Sequence, residues 1–135
     1  MKIKKLIPEY LKHMKAIGRS YYTIRVAGYT LRSFVRYLAG EQIDNIEALS
    51  RDVIEDYQQE LAFSLTAKGM PLSVRTQVKR LGTIKGFSRF LKEKDYLVHD
   101  PAGSIQLPKE PRRLPRSILS PAEIKRLTRE AMDTS

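Results

Sequence analysis

The chain has 135 residues, 41% of them hydrophobic and 30% charged, a length and balance that suit one globular domain with a tail and exclude a disordered chain. No apolar run approaches the roughly 18 residues of a membrane span. There are no cysteines for a disulfide framework or a thiolate zinc site, and charges interrupt the start "MKIKKLIPEYLKHMK" where a secretion signal would be apolar, so a cytoplasmic protein is expected. Twenty-five basic residues against 15 acidic ones leave a net charge of +10, distributed as +6 over residues 10–40 without a single acid, −6 over 41–65 and +7 over 66–94. Two basic blocks around an acidic one point to particular elements that face a polyanion, with nucleic acid ahead of an acidic lipid surface.

Apolar residues recur at helical spacing along the chain and no segment alternates as a strand would, so an all-α fold is expected. The first helix spans about Ile3 to Ile17, with Leu6, Ile7, Tyr10, Leu11, Met14 and Ile17 on one stripe. Pro8 suits only a first turn, which moves the expected start toward Ile7. Gly18 closes this helix at the C′ position, and Ser20 or Thr23 can cap the second, which runs to about Leu38 before Gly40. Ile24, Ala27, Leu31, Phe34, Val35 and Leu38 form its core stripe. On the opposite side Tyr22, Arg25, Tyr29, Arg32 and Arg36 fall within about 80° of one another. Such a face is either solvated or binds an anion, and the lack of acids between Tyr10 and Gly40 favours the anion, since no intrahelical carboxylate is offered.

The third helix follows an N-cap at Ser50, has Asp52 near its positive end, and extends to about Leu65. It turns Val53, Ile54, Tyr57, Leu61 and Leu65 inward and Asp52, Glu55, Asp56, Gln59 and Glu60 outward, an acidic face that belongs on the side away from a polyanion. Gly69 and Pro71 mark a turn, and Ser73 caps the longest helix, "VRTQVKRLGTIKGFSRFLKEK". Val74, Val78, Leu81, Ile84, Phe87 and Leu91 are its core stripe, and Arg75, Lys79, Gly82, Gly86 and Arg89 its outer face. A glycine inside a helix costs about 1 kcal/mol relative to alanine, so this pair calls for close approach by another backbone, from a neighbouring helix or a nucleic-acid strand.

After Tyr96, "LVHDPAGSIQLP" reads as a loop with a turn at Asp100–Pro101. Pro108, Pro111 and Pro115 then stiffen a cationic strap. "SPAEIKRLTREAM" opens a fresh helix with Ser120 at N-cap, Pro121 at N1 and Glu123 at N3. Its stripe of Ile124, Leu127, Ala131 and Met132 has no domain after it to pack on, which predicts a helix marginal in isolation, within a piece cut from a longer protein. Catalytic chemistry finds little support. His13 and His99 are the two histidines, far apart and without converging ligands, and neither a nucleophile motif nor a glycine-rich phosphate loop accompanies them. The residues describe a binding module with no cofactor and no metal.

Three stretches, "GRSYYTIRVAGYTLRSFVRYL", "LSVRTQVKRLGTIKGFSRFLKEKDYLVHDPA" and "LPKEPRRLPRSILSPAEIKRL", resemble in this order and spacing the N-terminal core-binding domain of tyrosine site-specific recombinases, the phage-integrase and Xer-type group. The resemblance covers residues 3–132 and implies a four-helix SAM-like orthogonal bundle over 1–106, a basic proline-rich interdomain linker over 107–119, and the first helix of a catalytic domain over 120–135. It also implies a half-clamp on duplex DNA whose other half carries two arginines, a lysine, a His-x-x-Arg motif and a tyrosine nucleophile. No His-x-x-Arg occurs here, so that set is expected beyond Ser135 and none of the tyrosines is assigned as nucleophile. Carried over to matching positions, the resemblance implicates Ser20, Tyr22, Thr23, Arg25, Tyr29 and Arg32 on the second helix. On the fourth it implicates Ser73, Arg75, Thr76, Lys79, Arg80, Thr83 and Arg89, and in the strap Arg112, Arg113 and Arg116. Members often have Pro and Asn where Tyr21 and Tyr22 stand, and Ser or Ala where Gly82 and Gly86 stand. The implied partners are double-stranded DNA and other protomers of the full-length protein, with no membrane and no small-molecule substrate. Two other classes compete: a stand-alone helical DNA-binding regulator, for which the Ala39–Leu49 connection is too long a turn, and a protein-interaction bundle whose basic faces are incidental. Separately, the strap on its own has the alternative reading of a proline-rich ligand for an SH3-like domain.

Overall fold

Capping serines set the starts of three of the four helices found in the computed structural model, which describes residues 1–109. The helices are α1 (Ile3–Ala16), α2 (Tyr21–Gly40), α3 (Arg51–Phe63) and α4 (Val74–Glu93), with a single 3₁₀ turn at Ile46–Ala48. Ser20 Oγ accepts from Thr23 N at 3.1 Å, Ser50 Oγ from Val53 N at 3.3 Å and Ser73 Oγ from Thr76 N at 3.1 Å. Each such cap contributes about 1 kcal/mol by satisfying a donor that the helix itself leaves orphaned. Among the described residues β pairing is confined to two isolated bridges, Lys2–Asn45 and Leu65–Pro71, so the bundle is all-α. No described helix is long and apolar enough to cross a membrane. The expected arginines Arg112, Arg113 and Arg116 and the expected helix at 120–132 lie outside the described residues.

α1 lacks a side-chain cap and is started instead by tertiary bonds. Ile3 N donates to Asp44 O at 2.9 Å and Ile46 N donates to Met1 O at 3.0 Å. These bonds tie the first residues to the loop after α2, and they explain why the helix begins at Ile3, with Pro8 inside it, rather than near Ile7. The donor that Pro8 lacks would have served the Lys4 carbonyl. Both residues are exposed, so the missing bond falls on the solvent side of the helix.

α3 stops at Phe63, two residues short of the expected end. Ser64 adopts an extended conformation while its Oγ donates to Glu60 O at 2.7 Å. The chain then closes a tight hairpin in which Thr66 N donates to Met70 O at 2.6 Å and Gly69 takes φ +78°. Leu65, expected inward, is consequently 64% exposed.

α2 packs on both α1 and α4, and α3 on α4. The core between them is built from Ile3 and Leu6 of α1, Leu31, Phe34 and Leu38 of α2, Ile54, Tyr57 and Leu61 of α3, and Leu81, Ile84, Phe87 and Leu91 of α4. Tyr57 meets Phe34 edge-on at 4.8 Å and Tyr37 at 5.1 Å between ring centroids. Full burial of one such side chain stabilises the fold by about 1.5–3 kcal/mol.

The segment read as a plain loop is irregular but belongs to this core, because Ala102 and Ile105 are buried in it. Ser88, itself buried, donates to Asp100 Oδ1, which also accepts from Ala102 N at 3.1 Å. Lys85 Nζ donates to Ile105 O and Gln58 Nε2 to Gln106 O, both at 2.6 Å. The chain therefore leaves the bundle in a direction set by α3 and α4 together.

Candidate nucleic-acid interface

α2 and α4 are both 20 residues long, and between the first half of α2 and the middle of α4 runs an open groove of 500 Å³. Its cations are Arg19, Lys79 and Arg89; its hydroxyls are those of Tyr10, Tyr22, Thr23 and Thr83; Met14, Val26, Ala27, Gly82 and Gly86 supply the apolar floor. No acid lines it. Salt bridges among the described residues are Met1–Glu47, Lys2–Asp44 and Arg51–Glu55, so no cation of α2 or α4 is neutralised by one.

The two serines assigned from the resemblance act as caps, and both helices use the same arrangement. Ser20 Oγ donates to Thr23 Oγ1 at 2.9 Å and Ser73 Oγ to Thr76 Oγ1 at 2.9 Å. Each serine oxygen also accepts from the same threonine's N–H, so the two hydroxyls at either corner are joined within the cap. Thr23 is exposed and lines the groove, whereas Thr76 is half-buried. Thr83 donates to Lys79 O at 3.2 Å, which leaves its methyl and its lone pairs for a ligand.

The remaining assigned residues divide by face. Tyr22, 71% exposed, stands on the groove's edge. Arg25, Tyr29 and Arg32, all exposed, continue around α2 away from α4 on the outward face that also carries Arg36. The Arg32 guanidinium lies back along its own helix, 3.2 Å from where a Cβ on Gly28 would stand. Arg75 is exposed in the first turn of α4, one turn before Lys79 on the same face. Arg80 is elsewhere: it is half-buried and faces Tyr57, whose phenol burial pushes up in pKa while the Arg80 charge pulls it down.

The glycine pair also divides. A Cβ on Gly86 would stand 2.6 Å from the hydroxyl of Tyr10, whereas one on Gly82 would meet nothing within 4 Å. Gly86 thus answers to a neighbouring helix, and Gly82 opens onto the groove.

Arg19, Tyr10 and Val26 were not singled out as site residues by their sequence positions. Arg19 lies between two helices, outside any helical wheel, but a signal for it exists in the preceding glycine. Gly18, at φ +85°, closes α1 in a Schellman turn in which Gly18 N donates to Lys15 O and Arg19 N to Met14 O, both at 3.0 Å. That double bond pair anchors the Arg19 backbone at the groove's corner. Among the described residues no group of three or more His, Asp or Glu side chains is placed to hold a metal.

A family model described as "Phage integrase, N-terminal SAM-like domain" matches residues 7–95. Tyrosine recombinase XerC 2 of Ralstonia nicotianae is 30% identical over 122 residues, which cover 88% of this chain and 35% of that protein. Tyrosine recombinase XerC of Bacillus pumilus is 27% identical over 126 residues, covering 92% of this chain and 39% of that protein. An integrase from mycobacterium phage Brujita shares the fold, with a TM-score of 0.63 at 19% identity over 83% of this chain and 35% of that one. The chain therefore spans little more than a third of the length of these relatives.

Proposed function

The chain belongs to the phage integrase N-terminal SAM-like domain family, and from that premise we propose that it is the DNA-binding half-clamp of a tyrosine recombinase. In this reading it positions recombination-site duplex DNA for strand cleavage and exchange by a catalytic domain of the parent protein, and itself carries no catalytic residue. Its partners are double-stranded DNA and other protomers bound to the same site. The observation that carries the reading is the acid-free α2–α4 groove, whose cations have no ion-pair partner among the described residues.

The chemistry is a division of labour. Arg25, Arg32, Arg75, Lys79 and Arg89 neutralise phosphates and supply affinity that falls with salt. Thr23, Thr83 and Tyr22, set between those cations, present hydroxyls and methyls to base edges or sugars, in a major groove about 12 Å wide that admits a helix. Arg112, Arg113 and Arg116 are assigned to phosphates on the sequence pattern alone.

Fluorescence anisotropy with a random duplex tests the reading. With about six phosphate contacts, log affinity falls against log salt with a slope near −5. The Arg75→Ala plus Lys79→Ala variant flattens that slope by about one to two. Absence of binding even at about 50 mM salt would instead favour a protein-interaction bundle.

A further inference from the structure

We propose that Arg19, Arg89 and the Tyr10 hydroxyl form a clamp for one backbone phosphate at the α1 end of the groove, a site that rests on the DNA-binding reading above. The three groups come from three different elements: Tyr10 from α1, Arg19 from the Schellman corner, Arg89 from α4. The groove and a second hollow of 170 Å³ share these three residues with Met14 and Gly86, so the clamp stands where the two concavities meet.

The placement of each group has a cause. The Tyr10 ring is wedged against Phe87 at 5.5 Å and Phe90 at 5.3 Å between centroids, and it projects its hydroxyl directly over Gly86, where any side chain would displace it. Burial pushes the phenol's pKa up, and the charges of Arg19 and Arg89 pull it part of the way back. At neutral pH the group is therefore an O–H donor flanked by two guanidiniums. Among the described residues the Tyr96 hydroxyl is bonded, to Glu9 at 2.7 Å, while that of Tyr10 is not. Arg19 and Arg89 likewise enter no salt bridge there. Glu93, one turn past Arg89, lines only the smaller hollow and marks the end of the surface that favours an anion. Two fork-shaped cations and one hydroxyl donor converging from separate directions match the two free oxygens of a phosphodiester.

The test is a non-additivity in the salt slope. Because both arginines hold the same phosphate, either one still neutralises it when the other is lost, so Arg19→Gln and Arg89→Gln each weaken duplex binding with little change in the log–log slope, and only the double variant flattens it, by about 0.9. Tyr10→Phe keeps the ring, leaves the slope unchanged and weakens binding about 5-fold. Far-UV circular dichroism and thermal melts on each variant keep loss of fold apart from loss of contact. A double variant that flattens the slope by about 1.8 would mean two separate phosphates and overturn the clamp. A double variant that leaves both slope and affinity unchanged, beside a Lys79→Ala variant that does flatten the slope, would remove the clamp while leaving the DNA reading in place. Wild-type protein that binds no duplex would remove both.

Discussion

Two of the hollows on this small bundle, similar in size, carry opposite chemistry. The α2–α4 groove, 500 Å³, has three cations and no acid. The hollow between the end of α2 and α3, 430 Å³, holds Glu41, Asp56 and Glu60 with Tyr37, Ile43, Val53, Gln59 and Phe63. One tyrosine in each reports the local field. Burial raises the pKa of both, but Arg19 and Arg89 then pull Tyr10 down, while Glu41, Asp56 and Glu60 push Tyr37 further up. Shape alone would make either hollow a docking site. The sign of the field makes the groove the hollow that suits a polyanion and the α3 face one that suits solvent or a basic surface.

Charge reversal is the strongest way to break this contrast. Arg75→Glu with Lys79→Glu is expected to weaken duplex binding about 100-fold near 100 mM salt, because two attractions become two repulsions at the phosphate backbone. Asp56→Lys with Glu60→Lys adds the opposite charge on the other face and is expected to change affinity by less than about 3-fold, since charges more than a Debye length from the DNA are screened. Equal and opposite effects of the two pairs in the same anisotropy titration would show that net charge, rather than a particular face, governs binding.

A smaller effect sharpens the comparison within the groove, whose two walls start with the same cap. Ser20→Ala and Ser73→Ala should each lower the unfolding free energy by about 1 kcal/mol in urea titrations. Glycine at the same positions should cost only a few tenths of a kcal/mol. A markedly unequal pair would mean that one helix start is held by packing and that its serine is free for another partner.

Much of the architecture is legible in local signals. Ser20, Ser50 and Ser73 announce three helix starts, and the 3.6-residue period separates Leu31, Phe34 and Leu38 from Arg25, Tyr29 and Arg32 without tertiary information. The failures share a physical origin in contacts distant along the chain. The Ile3 start depends on Asp44, the exposure of Leu65 on its bridge to Pro71, and the burial of Ala102 and Ile105 on the bonds that Ala102 N donates to Ser88 Oγ and Lys85 donates to Ile105 O. At the site, the adjacent residues Lys79 and Arg80 stand about 100° apart around the helix. Period alone sets Arg80 toward the side of Phe87, whereas the family resemblance grouped the two. Tyr10 was legible only as a core residue, because a helical wheel places the ring and says nothing of where its hydroxyl ends.

The smallest expected effect concerns the two glycines, and it separates protein packing from approach by DNA. Gly82→Ala adds a methyl that meets nothing within 4 Å, so the helix should gain about 0.5–1 kcal/mol from the lost flexibility of the unfolded chain. Gly86→Ala brings the same gain but drives its Cβ into the Tyr10 hydroxyl, which the ring's packing against Phe87 and Phe90 prevents from swinging clear. Overpacking by a single methyl falls at the low end of about 1–3 kcal/mol, so after that gain a net loss of up to about 1 kcal/mol is expected. In a Tyr10→Phe background the obstructing oxygen is gone, and Gly86→Ala should turn from destabilising to neutral or stabilising. Such a sign change, read by urea denaturation of the four variants, would establish the Gly86–Tyr10 contact. For Gly82 the informative readout is binding. A variant that is more stable yet binds duplex several-fold more weakly would show that DNA comes close enough to this stretch of α4 to need a bare backbone there, whereas unchanged affinity would assign Gly82 no part in contact and leave the groove's floor to Met14, Val26, Ala27 and Gly86.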